Sequence, residues 1–296
     1  MKVWLVGCGR WGSKIFKTLE NNNYNVSVID IKNQTSIDNI DTLDPVIVAS
    51  PPAEHYNQVK SLLLNGNDVF VEKPAAQTVE QCQSLDAIAK QNNKVLMPGH
   101  LFMYHPLMLE IENILQSNLL GKIKFIHNER SAMGFFQTST TVIENSSPHD
   151  FSIIQRLLGN ITVTDAKGFG LSVQNQHDRI SVFGRDNNVD WQIDLSWRSP
   201  TRRRLITIYC EQGQVVWDES QSTVEIFYNS TNSGQLIVSK ENEVIHNNNK
   251  RSPLELELDH FFDCVKSKSQ PKYDMSQAIL VARAIELSSS FLQTCS

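Results

Sequence analysis

A short apolar run, Val3-Trp4-Leu5-Val6, leads directly into Gly7-Cys8-Gly9-Arg10-Trp11-Gly12, and a helical stretch follows from Ser13 to Asn22. A second apolar run, Val26 to Ile29, ends in Asp30, eighteen residues past Gly12. Strand, glycine turn, helix, strand and acid in that order restrict the chain to a βαβ start on a parallel sheet. Three glycines at this spacing are weak evidence alone, but their place between strand and helix gives each a task. Gly7 permits the tight turn, Gly9 lets backbone approach a pyrophosphate, and Gly12 lets the helix pack on the sheet. N–H groups at a helix start favour phosphate, so Arg10 and Trp11 join the glycines as expected cofactor contacts. A carboxylate at Asp30 would accept hydrogen bonds from an adenine-ribose diol and repel a 2′-phosphate. NAD is therefore expected over NADP, with Lys32 the one nearby cation that could meet a phosphate. The alternative is a plain βαβ unit with a glycine turn.

Alternation continues beyond this unit. Val46–Ala49, Asn67–Val71 and Lys94–Met97 read as strands, and Ala53–Leu64, Val79–Gln91 and Pro106–Gln116 as helices. That pattern predicts a parallel sheet with helices on both faces. Past Gly121 the texture changes. Lys122–Ala132 reads as a strand and Ser147–Leu158 as a helix closed by Gly159. Strands at hairpin spacing follow, about Thr162–Leu171, Arg179–Phe183, Val189–Trp197, Leu205–Cys210, Gln214–Trp217, Thr223–Tyr228 and Leu236–Val238. These predict a mostly antiparallel sheet. Two helices, about Leu254–Ser267 and Ser276–Gln293, close the chain. The expected organisation is an α/β domain over residues 1–120 and an α+β domain over 121–296, with the C-terminal helix packing back on the first domain.

A parallel sheet of this kind takes its ligand at the carboxyl ends of its strands. Three such ends carry unusual residues: Ser50-Pro51-Pro52-Ala53-Glu54-His55, Glu72-Lys73-Pro74 and Gly99-His100. Proline after a strand cannot extend the ladder and fixes the chain's exit. Ser50, Pro51, His55, Glu72, Lys73 and His100 are thus expected to line the cofactor crevice.

At 296 residues with 40% hydrophobic content, the chain has room for about two domains. A net charge of -5 gives no electrostatic case for nucleic acid or an anionic membrane. No apolar run approaches the ~20 residues of a membrane span. Met1-Lys2-Val3 runs straight into a strand, so no signal peptide is expected. The five cysteines are scattered without metal-ligand spacing, which predicts no metal site and a reducing cytoplasm. Trp191, Ile193 and Leu195 alternate with Gln192, Asp194 and Ser196. If helices leave that apolar face bare, a second copy should cover it, giving a homodimer or homotetramer. The alternative is that these residues face helices of their own domain.

The motifs GCGRWG, SPPAEHY, EKPAA, Pro148-His149-Asp150 and LSWRSP, in this order and spacing, resemble the Gfo/Idh/MocA family of NAD(P)-dependent sugar oxidoreductases. The resemblance covers nearly the whole chain. GHLFMYHP, LGKIKFIHNER and PHDFSIIQRLLG look most like the branch acting on nucleotide-linked sugars. It implies a Rossmann domain followed by an open-faced, mostly antiparallel sheet that serves both oligomerisation and substrate. It also implies that Glu72 contacts the cofactor, that Lys73 bonds substrate and cofactor near the nicotinamide, and that His149 is the general acid/base. The chemistry agrees: hydride leaves a carbinol carbon only as the hydroxyl proton leaves, so a base must reach that oxygen. A lysine ammonium stabilises the developing negative charge. Tyr104 and Asn145 are the further candidates for substrate contact.

The chain departs from the family pattern at Asn145, four residues before His149, where many members carry aspartate. Asparagine cannot take up a proton; the flanking Glu144 is the nearest substitute. Upstream, Met133-Gly134-Phe135-Phe136 stands where basic residues are common, which weakens the case for a carboxylated sugar. Two classes stay open: an oxidoreductase of sugar hydroxyls, and a non-catalytic dinucleotide-binding regulator or scaffold.

Overall fold

The computed structural model describes residues 2–30, 37, 40–41, 43–133, 140–171, 177–232 and 235–294. Lys32, Gly134 to Phe136 and Cys295 lie outside them. The chain forms two compact units, residues 1–104 with 251–283, and residues 105–250 with 284–296.

The first unit is built on β1 (Lys2–Val6), β2 (Asn25–Ile29), β3 (Val46–Val48), β4 (Val69–Val71) and β5 (Leu96–Pro98). All pair in parallel, in the order β2-β1-β3-β4-β5. Strands β3, β4 and β5 are buried throughout, which is why they read as continuous apolar runs. Helices cover both faces. On one, α1 (Gly12–Asn21) and α6 (Pro253–Ser267) pack Ile15, Leu19, Leu258 and Phe261 on Leu5, Ile47 and Phe70. On the other, α2 (Pro52–Asn65), α3 (Val79–Gln91) and the start of α7 (Met275–Thr294) bring Leu62, Leu85 and Ala278 to Val6, Val48 and Val71. Thr78 caps α3 by accepting the Gln81 N–H, and Gly66 ends α2 at φ 92°. The strand order reverses between β1 and β3, and a ligand crevice is expected outside the carboxyl ends there.

The second unit holds α4 (Pro106–Gln116), β6 (Ile123–Met133), α5 (Val142–Leu158), β7 (Val163–Leu171), β8 (His177–Asp186), β9 (Val189–Ser196), β10 (Arg198–Cys210), β11 (Gly213–Asp218), β12 (Thr223–Asn232) and β13 (Gln235–His246). Its sheet runs β13-β12-β11-β10-β6-β9-β8-β7. Every pairing is antiparallel except β6 with β9, as the mostly antiparallel reading requires.

Two expectations are corrected here. Trp191, Ile193 and Leu195 are at most 1% exposed and do not form a bare face. Helix α5 covers them, with the Phe151 ring edge-on to Trp191 at 6.1 Å. The other face carries Gln192, Asp194 and Ser196, which are partly exposed. Helix α5 also starts five residues earlier than expected. Thr141 and Glu144 form a capping box, each accepting the other's backbone N–H. Pro148 therefore lies inside the helix instead of opening it, and Glu144 is committed to the helix start.

Candidate active site

The glycine turn has the shape of a phosphate cradle. Gly7 adopts φ +89°, and a Cβ there would lie 2.6 Å from the Ser50 backbone. A Cβ on Gly12 would meet the Gly7 carbonyl at 2.1 Å, so any other residue would push α1 off the sheet. Gly9 is the opposite case: an added Cβ would find nothing within 4 Å. Backbone there faces open space, the room a pyrophosphate needs. No side chain caps α1, and its first turn holds no acidic residue, so its positive end is left for an anion. Asp30 accepts the Cys8 N–H at 2.9 Å and so braces the turn from the end of β2. These residues fit a dinucleotide.

The other strand ends lie in the same unit. Ser50 donates its hydroxyl to Gln58 at 2.6 Å, and Pro51 stands at the start of α2. His55 is 1% exposed, with its ring nitrogens 2.8 Å from the carbonyls of Pro74 and Ser50. It is a strut between two strand ends, and its expected role as a cofactor contact is corrected on that ground. Burial pushes its pKa down, against the pull of the two carbonyls.

Glu72 accepts the Trp11 indole N–H and, at 3.2 Å, the Lys73 backbone N–H. Trp11 therefore ties the glycine turn to the end of β4. Burial raises the Glu72 pKa, opposed by Trp11 and by the Lys73 charge. His100 is buried, with its imidazole pKa pushed to about 4 by burial and by Lys73, so it is neutral at physiological pH. Tyr104 packs its ring against His260 and Tyr273, at 5.6 and 5.4 Å between centroids.

In the second unit His149 and Asn145 stand one turn apart on α5, both partly exposed. Asp150, next to His149, is buried under the helix. Arg130 of β6 holds it by two bonds of 2.8 and 3.0 Å and also donates to Glu219 at 2.7 and 3.3 Å. Burial disfavours the Arg130 charge, but Asp150 and Glu219 outweigh it and raise its pKa. This cluster fixes the turn of α5 that carries His149.

A model of the oxidoreductase family with an NAD-binding Rossmann fold matches residues 13–100. An uncharacterised oxidoreductase of Streptococcus pneumoniae is 24% identical over 190 residues, 55% of this chain and 52% of that protein. The chain thus spans about half the length of that relative. The structure of a UDP-N-acetylglucosamine 3-dehydrogenase from Acidithiobacillus ferrooxidans superposes with a TM-score of 0.84 at 19% identity, over 99% of this chain and 98% of that one. Residues 13–100 are thus similar to the Gfo/Idh/MocA oxidoreductases. Among further relatives is a dTDP-3,4-didehydro-2,6-dideoxy-α-D-glucose 3-reductase of Actinomadura kijaniata, 29% identical over 84 residues, 28% of this chain and 25% of that protein. The matched segment lies within the first unit, begins directly after the glycine turn and includes Asp30.

Three features of this chain lie outside the motifs read from its sequence. The Arg130–Asp150–Glu219 cluster joins residues far apart in sequence, and no local spacing announces it. The capping box at Thr141 and Glu144 has a local signature, T-x-x-E before an apolar pair. Glu257, a buried acid within the apolar stripe of α6, was also visible as a charge at a core spacing.

Proposed function

We propose that this protein transfers a hydride between NAD and a ring hydroxyl or ketone of a sugar, and that the sugar is nucleotide-linked. The observation that carries the reading is the Asp30-braced glycine turn, open at Gly9 and tied through Trp11 to Glu72, which with Lys73 follows β4 of the same sheet. Bound nicotinamide would supply the hydride chemistry. His149 takes the hydroxyl proton in oxidation and returns it in reduction, since imidazole titrates near neutral pH. The Lys73 ammonium stabilises negative charge on the reacting oxygen. Asn145, one turn from His149, binds a sugar hydroxyl without moving a proton. The UDP-sugar and dTDP-sugar enzymes among the relatives support a nucleotide-linked substrate. The thiols of Cys8, Cys210 and Cys264 suit a reducing cytoplasm.

The test is reduced-nicotinamide absorbance when purified protein and NAD meet a panel of nucleotide sugars. Turnover of at least one is expected. Tight NAD binding without turnover of any would favour the non-catalytic regulator, the reading that Asn145 supports.

Cofactor choice has its own test. NAD(H) is expected to bind more tightly than NADP(H), and Asp30→Ala to weaken NAD and narrow the difference. Because Asp30 also braces the Cys8 N–H, Asp30→Asn keeps a carbonyl acceptor there while removing the charge. Calorimetry showing equal or tighter NADP(H) binding by the parent would refute the assignment.

Self-association is proposed through the second face of the eight-stranded sheet. Helix α5 occupies the Trp191 face, so the contact would use Phe125, His127, Asp194 and Tyr209. The Phe125 and Tyr209 rings lie 5.7 Å apart there, and His127 bonds Asp194 at 2.8 Å. Light scattering at micromolar concentration should give a dimer or tetramer; a stable particle of the 33.6 kDa chain mass would refute it.

A further inference from the structure

Helix α6 sets Leu254, Leu258 and Phe261 into the core of the first unit, and Glu257 falls within that stripe at 1% exposure. A carboxylate in such a position must be paired or neutral, because an isolated buried charge is too costly. Neither Glu257 oxygen has a full hydrogen-bond partner among the described residues. The His100 backbone N–H is directed at it, and the Glu72 carboxylate is the charge that acts on it. Glu72 is the better served of the two, holding the Trp11 and Lys73 N–H groups. His100, at the end of β5, has a buried Nε2 without a partner among the described residues and feels the Lys73 charge. Tyr104, on the short turn after His100, packs on His260, one turn along α6 from Glu257. The Glu72 carboxyl reaches the same strand end, since a Cβ on Gly99 would lie 3.3 Å from its Oε2, so both carboxyls meet the Gly99-His100 end of β5. Like charges so placed do not both ionise near neutrality. Burial first, and the Glu72 charge second, push the Glu257 pKa well above the usual carboxylate range.

We propose that Glu72 and Glu257 hold a single proton between them, and that this proton makes the site respond to the charge of the nicotinamide ring. The proposal rests on the reading that Glu72, Lys73 and His100 serve the nicotinamide end of the cofactor. The oxidised ring is cationic and the reduced ring neutral. A cation beside the pair favours two carboxylates, so binding NAD expels the shared proton to solvent. NADH carries no such charge and leaves the proton in place. Glu257 is then a positioning residue that acts through Glu72 and discriminates between the two cofactor states. NAD affinity rises with pH through the titration of the pair, by at most tenfold per pH unit, whereas NADH affinity stays flat.

Calorimetric titration of the full chain with NAD and with NADH, in buffers of different ionisation enthalpy, counts the protons exchanged. The parent should release up to one proton on binding NAD and none on binding NADH. Glu257→Gln, a permanently neutral isostere, should release none with either. Equal exchange for the two cofactors, or undiminished release by E257Q, overturns the proposal. The pair is also tested without cofactor, so that failure of the nicotinamide reading is told apart from failure of the shared proton. A carboxyl whose folded pKa is raised binds more protons native than unfolded, and its contribution to stability falls as pH climbs from the usual glutamate range through the raised value. Melting temperature of the parent should therefore fall relative to E257Q across that window, and relative to Glu257→Leu, which suits the apolar stripe. A constant difference at every pH would show a packing role only and overturn the shared proton.

Discussion

His149→Ala is expected to lower turnover by about 10²–10⁴-fold, the usual worth of a general acid/base, while NAD affinity changes little. The separation of effects follows from the fold. The cradle, Asp30 and Glu72 belong to the first unit, and His149 sits on α5 of the second. The other carboxyls of that helix are engaged elsewhere, Asp150 being buried against Arg130. Asn145 carries an amide, and the Glu144 carboxylate is occupied by the Thr141 N–H at 2.8 Å. The pH profile gives a second readout. In the oxidative direction kcat/KM should fall as His149 becomes protonated, and the variant's residual activity should lack that acid limb. Asn145→Asp would set a carboxylate one turn away, favour the imidazolium and move the limb to higher pH. Activity of His149→Ala within a few-fold of the parent, with the acid limb intact, would remove His149 from the reaction.

What the chain discloses by itself follows the range of each interaction. Helix α3 is bounded as expected at Val79 and Gln91 because Thr78 and the Asn92-Asn93 turn are local signals. Helix α4 begins as expected at Pro106, where the missing N–H costs nothing. The glycine turn and Asp30 were legible for the same reason. Alternation along β9 announces two faces, but which one is covered depends on α5, some forty residues away, and so the Trp191 face was misassigned. Pro148 drew attention as a helix opener because proline favours the first turn, and the capping box at Thr141 overrode it. His55 looked like a ligand-facing residue because it follows a strand end. Its partners, the Ser50 and Pro74 carbonyls, exist only once β3 and β4 are side by side. Charged groups that meet across the fold, such as Arg130 with Asp150 and Glu219, leave at most one local trace each.

The largest stability effect is expected at Arg130. Its side chain is 11% exposed, and those of its partners Asp150 and Glu219 are 1% and 6% exposed. Arg130→Met keeps most of the side-chain volume but strands two buried carboxylates, a loss of about 3–5 kcal/mol. Arg204, 3.8 Å from Glu219 and 41% exposed at its side chain, relieves only one of them. Calorimetry should show the loss in the transition of the second unit, since one unfolding step need not describe a chain of two units. Adding Asp150→Asn and Glu219→Gln to Arg130→Met removes the stranded charges and should recover much of the stability. The single variant should also lose activity, because Asp150 adjoins His149 and anchors its turn of α5. If the triple variant proves no more stable than Arg130→Met, the cluster contributes shape rather than charge balance. His149 would then be held in place by the packing of Phe151 on Trp191.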